Sequence, residues 1–188
     1  MVRGRCCGEE HAMDLEQYAQ ESAAAINAAL EKYRFDKLAL QDAEQTAALA
    51  REANGRMTDP EEPPIEIDYA GTDGMRASLQ EQRRTLIRLQ NDRFRITFLG
   101  GQVVITTGVK GRGDAFVKGC LDAVRAFDTF NEENDPYGEH DFGILEVGGQ
   151  KVYWKIDAYD HDLRYGSDDP ADPALTLRVL TLCLPEEY

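Results

Sequence analysis

The sequence predicts an α+β protein: a helical N-terminal part, then a β-β-α-β-β-β domain with a mainly antiparallel sheet packed on one helix. Three observations carry this. Apolar residues recur every three or four positions through the first half. The period changes to two from residue 93. A nearly continuous apolar run closes the chain. The 188 residues are enough for one core with a helical appendage. The expected division is 1–53 as a helical segment, 54–74 as a linker and 75–188 as the α+β domain.

In the N-terminal segment Leu15, Tyr18, Ser22, Ile26, Ala29, Leu30 and Tyr33 share one helical face. The phase shifts near Phe35 and Asp36, and Leu38, Leu40, Ala43, Ala47 and Leu49 follow. A helical hairpin and one long interrupted helix fit this pattern equally well. The narrow, alanine-rich stripe also suits pairing of two copies through these helices. Pro60, Pro63, Pro64, Gly71 and Gly74 break helical continuity, and Ile65 and Ile67 alternate as in a short edge strand. Residues 75–90 read as a helix with Leu79, Leu86, Ile87 and Leu89 on its stripe.

Phe94, Ile96 and Phe98 alternate with Arg95 and Thr97, and Val103–Ile105 follow Gly100 and Gly101, which predicts a β-hairpin. The loop 108–114 (GVKGRGD) leads into a helix N-capped by Asp114, with Phe116, Val117, Cys120, Val124 and Phe127 on its buried side. A second hairpin is expected from Phe142–Val147 and Lys151–Tyr159 across Gly148 and Gly149. Its return strand places Val152, Trp154 and Ile156 on one face. The final run, 176–184, reads as a strand buried on both faces, with a helix as the alternative.

The net charge is −14, with 35 Asp and Glu against 21 Lys and Arg. Such a surface repels nucleic acid and anionic membranes and attracts basic partners. Between Asp128 and Asp172 thirteen carboxylates stand against Lys151, Lys155 and Arg164, a local charge of −10. The expected partner-binding residues are Glu132, Glu133, Asp135, Tyr137, Glu139, Asp141, Asp160, Asp162, Tyr165, Asp168, Asp169 and Asp172. Tyrosines rimmed by acids suit a protein interface. The expected partner is a basic protein that itself handles nucleic acid, with neither nucleic acid nor membrane bound directly. A second reading is a metal-dependent hydrolase or nuclease built on His140, Asp141, Asp157, Asp160 and His161, imidazole and carboxylate being ligands that activate water on a divalent ion.

Several classes find no support. The loop 108–114 lacks the phosphate-loop and dinucleotide fingerprints, and no serine nucleophile elbow or Cys–His signature is present. These absences weigh against the common enzyme classes while leaving the metal-dependent reading open, and no cofactor is expected. Cys6, Cys7 and His11 lack zinc spacing, and Met13 is a second candidate start. Without an apolar signal region or a bilayer-length apolar stretch, the expected location is the cytoplasm.

The blocks NDPYGEHDF (Asn134–Phe142), WKIDAY (Trp154–Tyr159) and YGSDDPADP (Tyr165–Pro173) resemble an uncharacterised bacterial family, the domain of unknown function numbered 3768. The resemblance runs from about Leu86 to Tyr188. It implies a bacterial cytoplasm and a plasmid or mobile-element setting, and no chemistry. In that setting, the acidic segment is expected to serve as a DNA mimic in counter-defence, against restriction or a CRISPR effector.

Overall fold

The computed structural model describes residues 14–56 and 63–188. Cys6, Cys7, His11, Met13 and Pro60 lie outside them. Two helices lead: α1, Leu15–Arg56, and α2, Tyr69–Thr97. The phase shift at Phe35 interrupts nothing, because α1 runs straight through it. Its buried residues, Ile26, Leu30, Tyr33, Leu40, Ala47 and Ala50, form one continuous stripe, whereas Phe35, Leu38 and Leu49 of the apparent second register are exposed. The helices are antiparallel: Arg93 donates to the Ala19 carbonyl, Gln82 to Asp36, and Arg76 to Glu44. The turn between them is closed by Asn54, whose side chain bonds both the amide and the carbonyl of Ile65. Those bonds occupy the groups a strand at Ile65–Ile67 would need, and no strand forms there. Asp68 caps α2 by accepting from the Gly71 amide at 2.8 Å.

The hairpin expected across Gly100 and Gly101 does not form. Residues 94–97 belong to α2, and Phe98 closes the helix in a left-handed conformation (φ 58°) with its amide on the Phe94 carbonyl. Phe94, Arg95 and Ile96 are all buried because this last stretch of α2 is walled by α1, the sheet and a further helix. Burial on every side removes the helical periodicity and leaves an accidental alternation. The expected five strands thus become four.

Those strands are β1, Gly101–Ile105; β2, Phe142–Val147; β3, Gln150–Tyr159; and β4, Leu177–Cys183. Their order is β1-β4-β3-β2. β2 and β4 both run antiparallel to β3, and β1 runs parallel to β4. Gly148 and Gly149, at φ 57° and 76°, make the tight turn of the β2–β3 hairpin. Between β1 and β2 lie a single turn, α3 (Thr107–Lys110), and α4 (Asp114–Ala126). Asp114 is the first helical residue rather than the cap. The cap is Gly113, whose φ of 94° a side chain would oppose. A short 3₁₀ turn, Pro185–Glu187, follows β4.

β4, an interior strand of the sheet, is buried on both faces, as its apolar run predicts. One sheet face packs on α4 and the end of α2. Val152, Trp154, Ile156, Leu180 and Leu182 meet Cys120, Val124 and Phe94 there. Gly101 is required at that contact: a Cβ would approach the Arg178 carbonyl to 2.6 Å and the Phe94 ring equally closely. A second, smaller cluster joins Leu30 and Tyr33 of α1 to Leu86 and Ile87 of α2 and to Ala171. Among the described residues, no helix is long and apolar enough to cross a membrane.

Candidate functional site

Because β2 and β4 both oppose β3, the loop entering β2 and the loop joining β3 to β4 emerge at the same end of the sheet. These loops carry the acidic segment. They are tied to the sheet where the Ile156 amide donates to the Asp141 carbonyl at 2.7 Å and where Tyr159 bridges Gly166. Several carboxylates shape the loops themselves. Asp135 accepts from the amides of Glu139 and His140, and Asp160 from those of Arg164 and Tyr165. This is the turn chemistry of short acidic side chains.

The thirteen carboxylates therefore divide. Asp169 does not project outward. It is 6% exposed and lies between Lys37 (2.8 Å), Arg83 (3.5 Å) and the Tyr33 hydroxyl (3.0 Å). Asp172 pairs with Arg34 at 2.8 Å, and Asp157 with Lys155 at 2.8 Å. Three of the expected charges are thus compensated, two of them by cations of α1. Lys151 and Arg164 form no ion pair among the described residues, so they do not neutralise the rest. Glu132, Glu133, Asp162 and Asp168 are exposed, as are Tyr137 and Tyr165, at 74% and 75%.

Between the two groups lie Asp135, Glu139 and Asp141, partly sheltered. Burial pushes the Glu139 carboxyl above its ordinary range, and the charges of Asp141 and Asp135 add to the rise. Burial likewise raises Asp141, with further contributions from Asp135 and Asp157. Protonation is made easier there because like charges share a poorly hydrated space.

The metal-binding residues expected from sequence do not converge. Nδ1 of His140 faces the Asp92 carboxylate at 2.9 Å, Nε2 lies 3.6 Å from Asp135, and the ring stacks on Phe130 at 3.7 Å between centroids. His161 directs Nε2 to the Ala174 carbonyl at 3.0 Å. Asp157 is held by Lys155, and Asp160 by backbone amides. Among the described residues, no three His, Cys, Asp or Glu side chains are grouped to hold an ion. His140 is a brace between α2 and the acidic loop.

Residues 105–187 match the family model described as Protein of unknown function (DUF3768). The match starts at Ile105, the last residue of β1, and not at Leu86. The DUF3768 segment thus holds α3, α4, β2–β4 and both acidic loops, while α1 and α2 lie outside it. The model's description assigns it no activity. Comparison with curated proteins and with solved structures gives no match.

Reading the sequence alone misses Asp92, Arg34, Lys37 and Arg83, which all lie outside the DUF3768 segment and hold parts of it in place. Asp169 lies 136 residues from Tyr33, and no local pattern signals a pairing over that distance. Arg178 is missed as well. It reads as the single charge of an apolar strand, and it is buried.

Proposed function

We propose that this protein is a binding module that presents the acidic end of its sheet to a basic protein surface. The observation that supports this reading is the placement of the exposed set. Glu132 and Glu133 on one loop, and Asp162 and Asp168 on the other, leave the same end of the sheet with Tyr137 and Tyr165 beside them. None of these four acids is ion-paired among the described residues. Carboxylates on a rigid edge offer negative charge to Lys and Arg as phosphates do, and exposed tyrosines supply contact area. Asp169, Asp172 and Asp157 are outside the proposed surface, since their charge is already matched.

The partner this chemistry fits is a protein whose cationic groove otherwise holds nucleic acid. Its concrete form is counter-defence, in which the acidic edge occupies the groove of a restriction enzyme or CRISPR effector. Pull-down from host lysate tests this with the wild type and with a variant carrying Glu132→Gln, Glu133→Gln, Asp162→Asn and Asp168→Asn. A partner retained at low salt, released by duplex DNA and lost with the variant is expected. Equal recovery of the same proteins by the variant overturns the reading.

A further inference from the structure

A cavity of about 420 Å³ lies between α1, the end of α2, the two residues leading into β1, the β3–β4 loop and the start of β4. Its thirteen lining residues include Arg93, Arg178 and His161 and no carboxylate. That is unusual in a chain where acids outnumber bases 35 to 21. The remaining wall is largely apolar, with Ile26, Phe94 and Leu177 among its residues. The volume falls within the range of about 300–1,000 Å³ common to small-molecule sites.

Arg178 is one of the lining residues. It is 4% exposed. Its Nε donates to the Asn91 side chain at 2.8 Å and its Nη2 to the Pro170 carbonyl at 2.7 Å. Both acceptors are neutral, and no carboxylate pairs with it among the described residues. Burial brings its pKa down to about 10, with the more distant Glu139 charge acting the other way. A desolvated guanidinium without a counter-charge is costly and gains by meeting an anion. Two fixed donor bonds also hold it ready, so little ordering is needed on binding.

We propose that this cavity binds a small amphipathic organic anion, its carboxylate or phosphate head on Arg178 and Arg93 and its apolar body against Ile26, Phe94 and Leu177. The guanidinium plane suits either head through paired N–H donors. The β3–β4 loop that walls the cavity through His161 and Pro173 also carries Asp162 and Asp168, but no acid of the proposed partner surface is among the lining residues, so anion binding does not depend on the reading above.

Calorimetric titration of the full chain with octanoate, octyl phosphate and octanol tests the proposal. Octanoate or octyl phosphate is expected to bind, the stronger one identifying the head group, and octanol to bind at least about tenfold more weakly, as loss of a charged hydrogen bond implies. Arg178→Gln is expected to remove the preference for the anions. Should that variant not fold, two others carry the test. Arg93→Gln, at the rim, is expected to weaken anion binding severalfold, and Ala23→Phe to block the cavity while leaving both arginines in place. Failure of both anions to bind at millimolar concentration, equal binding of octanol, or unchanged binding by Arg93→Gln and Ala23→Phe would each overturn it.

Discussion

The Tyr33 hydroxyl donates a hydrogen bond to Oδ2 of Asp169 at 3.0 Å, joining the middle of α1 to the loop before β4. Lys37 and Arg83 reach the same carboxylate, so one buried acid ties both helices to the loop. Burial by itself would raise the Asp169 carboxyl. The bonds from Lys37 and Tyr33, and the Lys37 charge, outweigh it and leave the pKa lowered. A depressed folded-state pKa contributes stability above the unfolded value, and that contribution is lost as pH falls through the folded value. Asp169→Asn keeps an acceptor for Tyr33 and removes the charge. Both cations are over 40% exposed and regain water, so the expected cost at neutral pH is only about 1–2 kcal/mol. In urea melts, the gap between wild type and Asp169→Asn should narrow as pH drops below 3.8, the ordinary carboxyl value.

The same bond acts in the opposite direction at high pH. Burial, followed by the Asp169 charge and hydrogen bond, pushes the Tyr33 phenol from 10.0 up to about 12. A raised folded-state value gives stability that is complete below pH 10 and lost as pH climbs toward 12. Tyr33→Phe should therefore be less stable than wild type at neutral pH and close the gap over that interval. Spectrophotometric titration gives a second measure: in Asp169→Asn one phenol should ionise at lower pH than in the wild type.

How far the fold is legible from sequence depends on how many sides of each element are buried. β2 and β3 show clear alternation and two turn glycines because each has one sheltered face, and both sit where the pattern puts them. β4 is legible for the opposite reason, since an unbroken apolar run suits a strand covered on both faces. The end of α2 is misread because Phe94, Arg95 and Ile96 are buried together. A better signal was available: Leu79, Leu86, Ile87, Gln90 and Phe94 continue one helical stripe through the supposed break. The acidic loops are legible as composition but not as geometry. Whether an Asp faces water or a lysine of α1 depends on contacts more than a hundred residues apart, as with Asp169 and Lys37.

Gly143 lies on β2 opposite Trp154. A Cβ there would run into the indole Nε1 and approach Phe127 Cζ to 2.8 Å. Trp154 and Phe127 pack edge to face at 5.5 Å and are held by Phe130, so neither ring has room to yield. Gly143→Ala should cost about 1–3 kcal/mol through overpacking. Chemical denaturation measures this, and the fluorescence of Trp154, the chain's one tryptophan, should shift in the native state.

Replacing Glu132, Glu133, Asp162 and Asp168 by their amides should change stability by no more than about 0.5 kcal/mol per site. All four are exposed, and their side chains make no hydrogen bond among the described residues. Asp160→Ala should behave differently, because two loop amides lose their acceptor. Paired melting curves check the contrast, and they show whether any lost binding by the fourfold variant reflects the surface alone.

Cys120 lies on the buried stripe of α4, fully enclosed against the sheet, and burial pushes its thiol above the ordinary value. Cys183, 2% exposed on β4, is raised by burial as well, with the Glu187 charge adding to it. The thiolate is the reactive form, so both loss of access and loss of ionisation suppress alkylation. Alkylation followed by peptide mass analysis should find Cys120 unmodified in native protein long after a free small-molecule thiol under the same conditions has reacted. Its labelling rate should rise with urea in step with the unfolding curve, since α4 must leave the sheet before the reagent can enter. Fast labelling of Cys120 under native conditions would mean that α4 opens independently of the sheet, contrary to a core in which Cys120 and Val124 pack with Trp154 and Leu182.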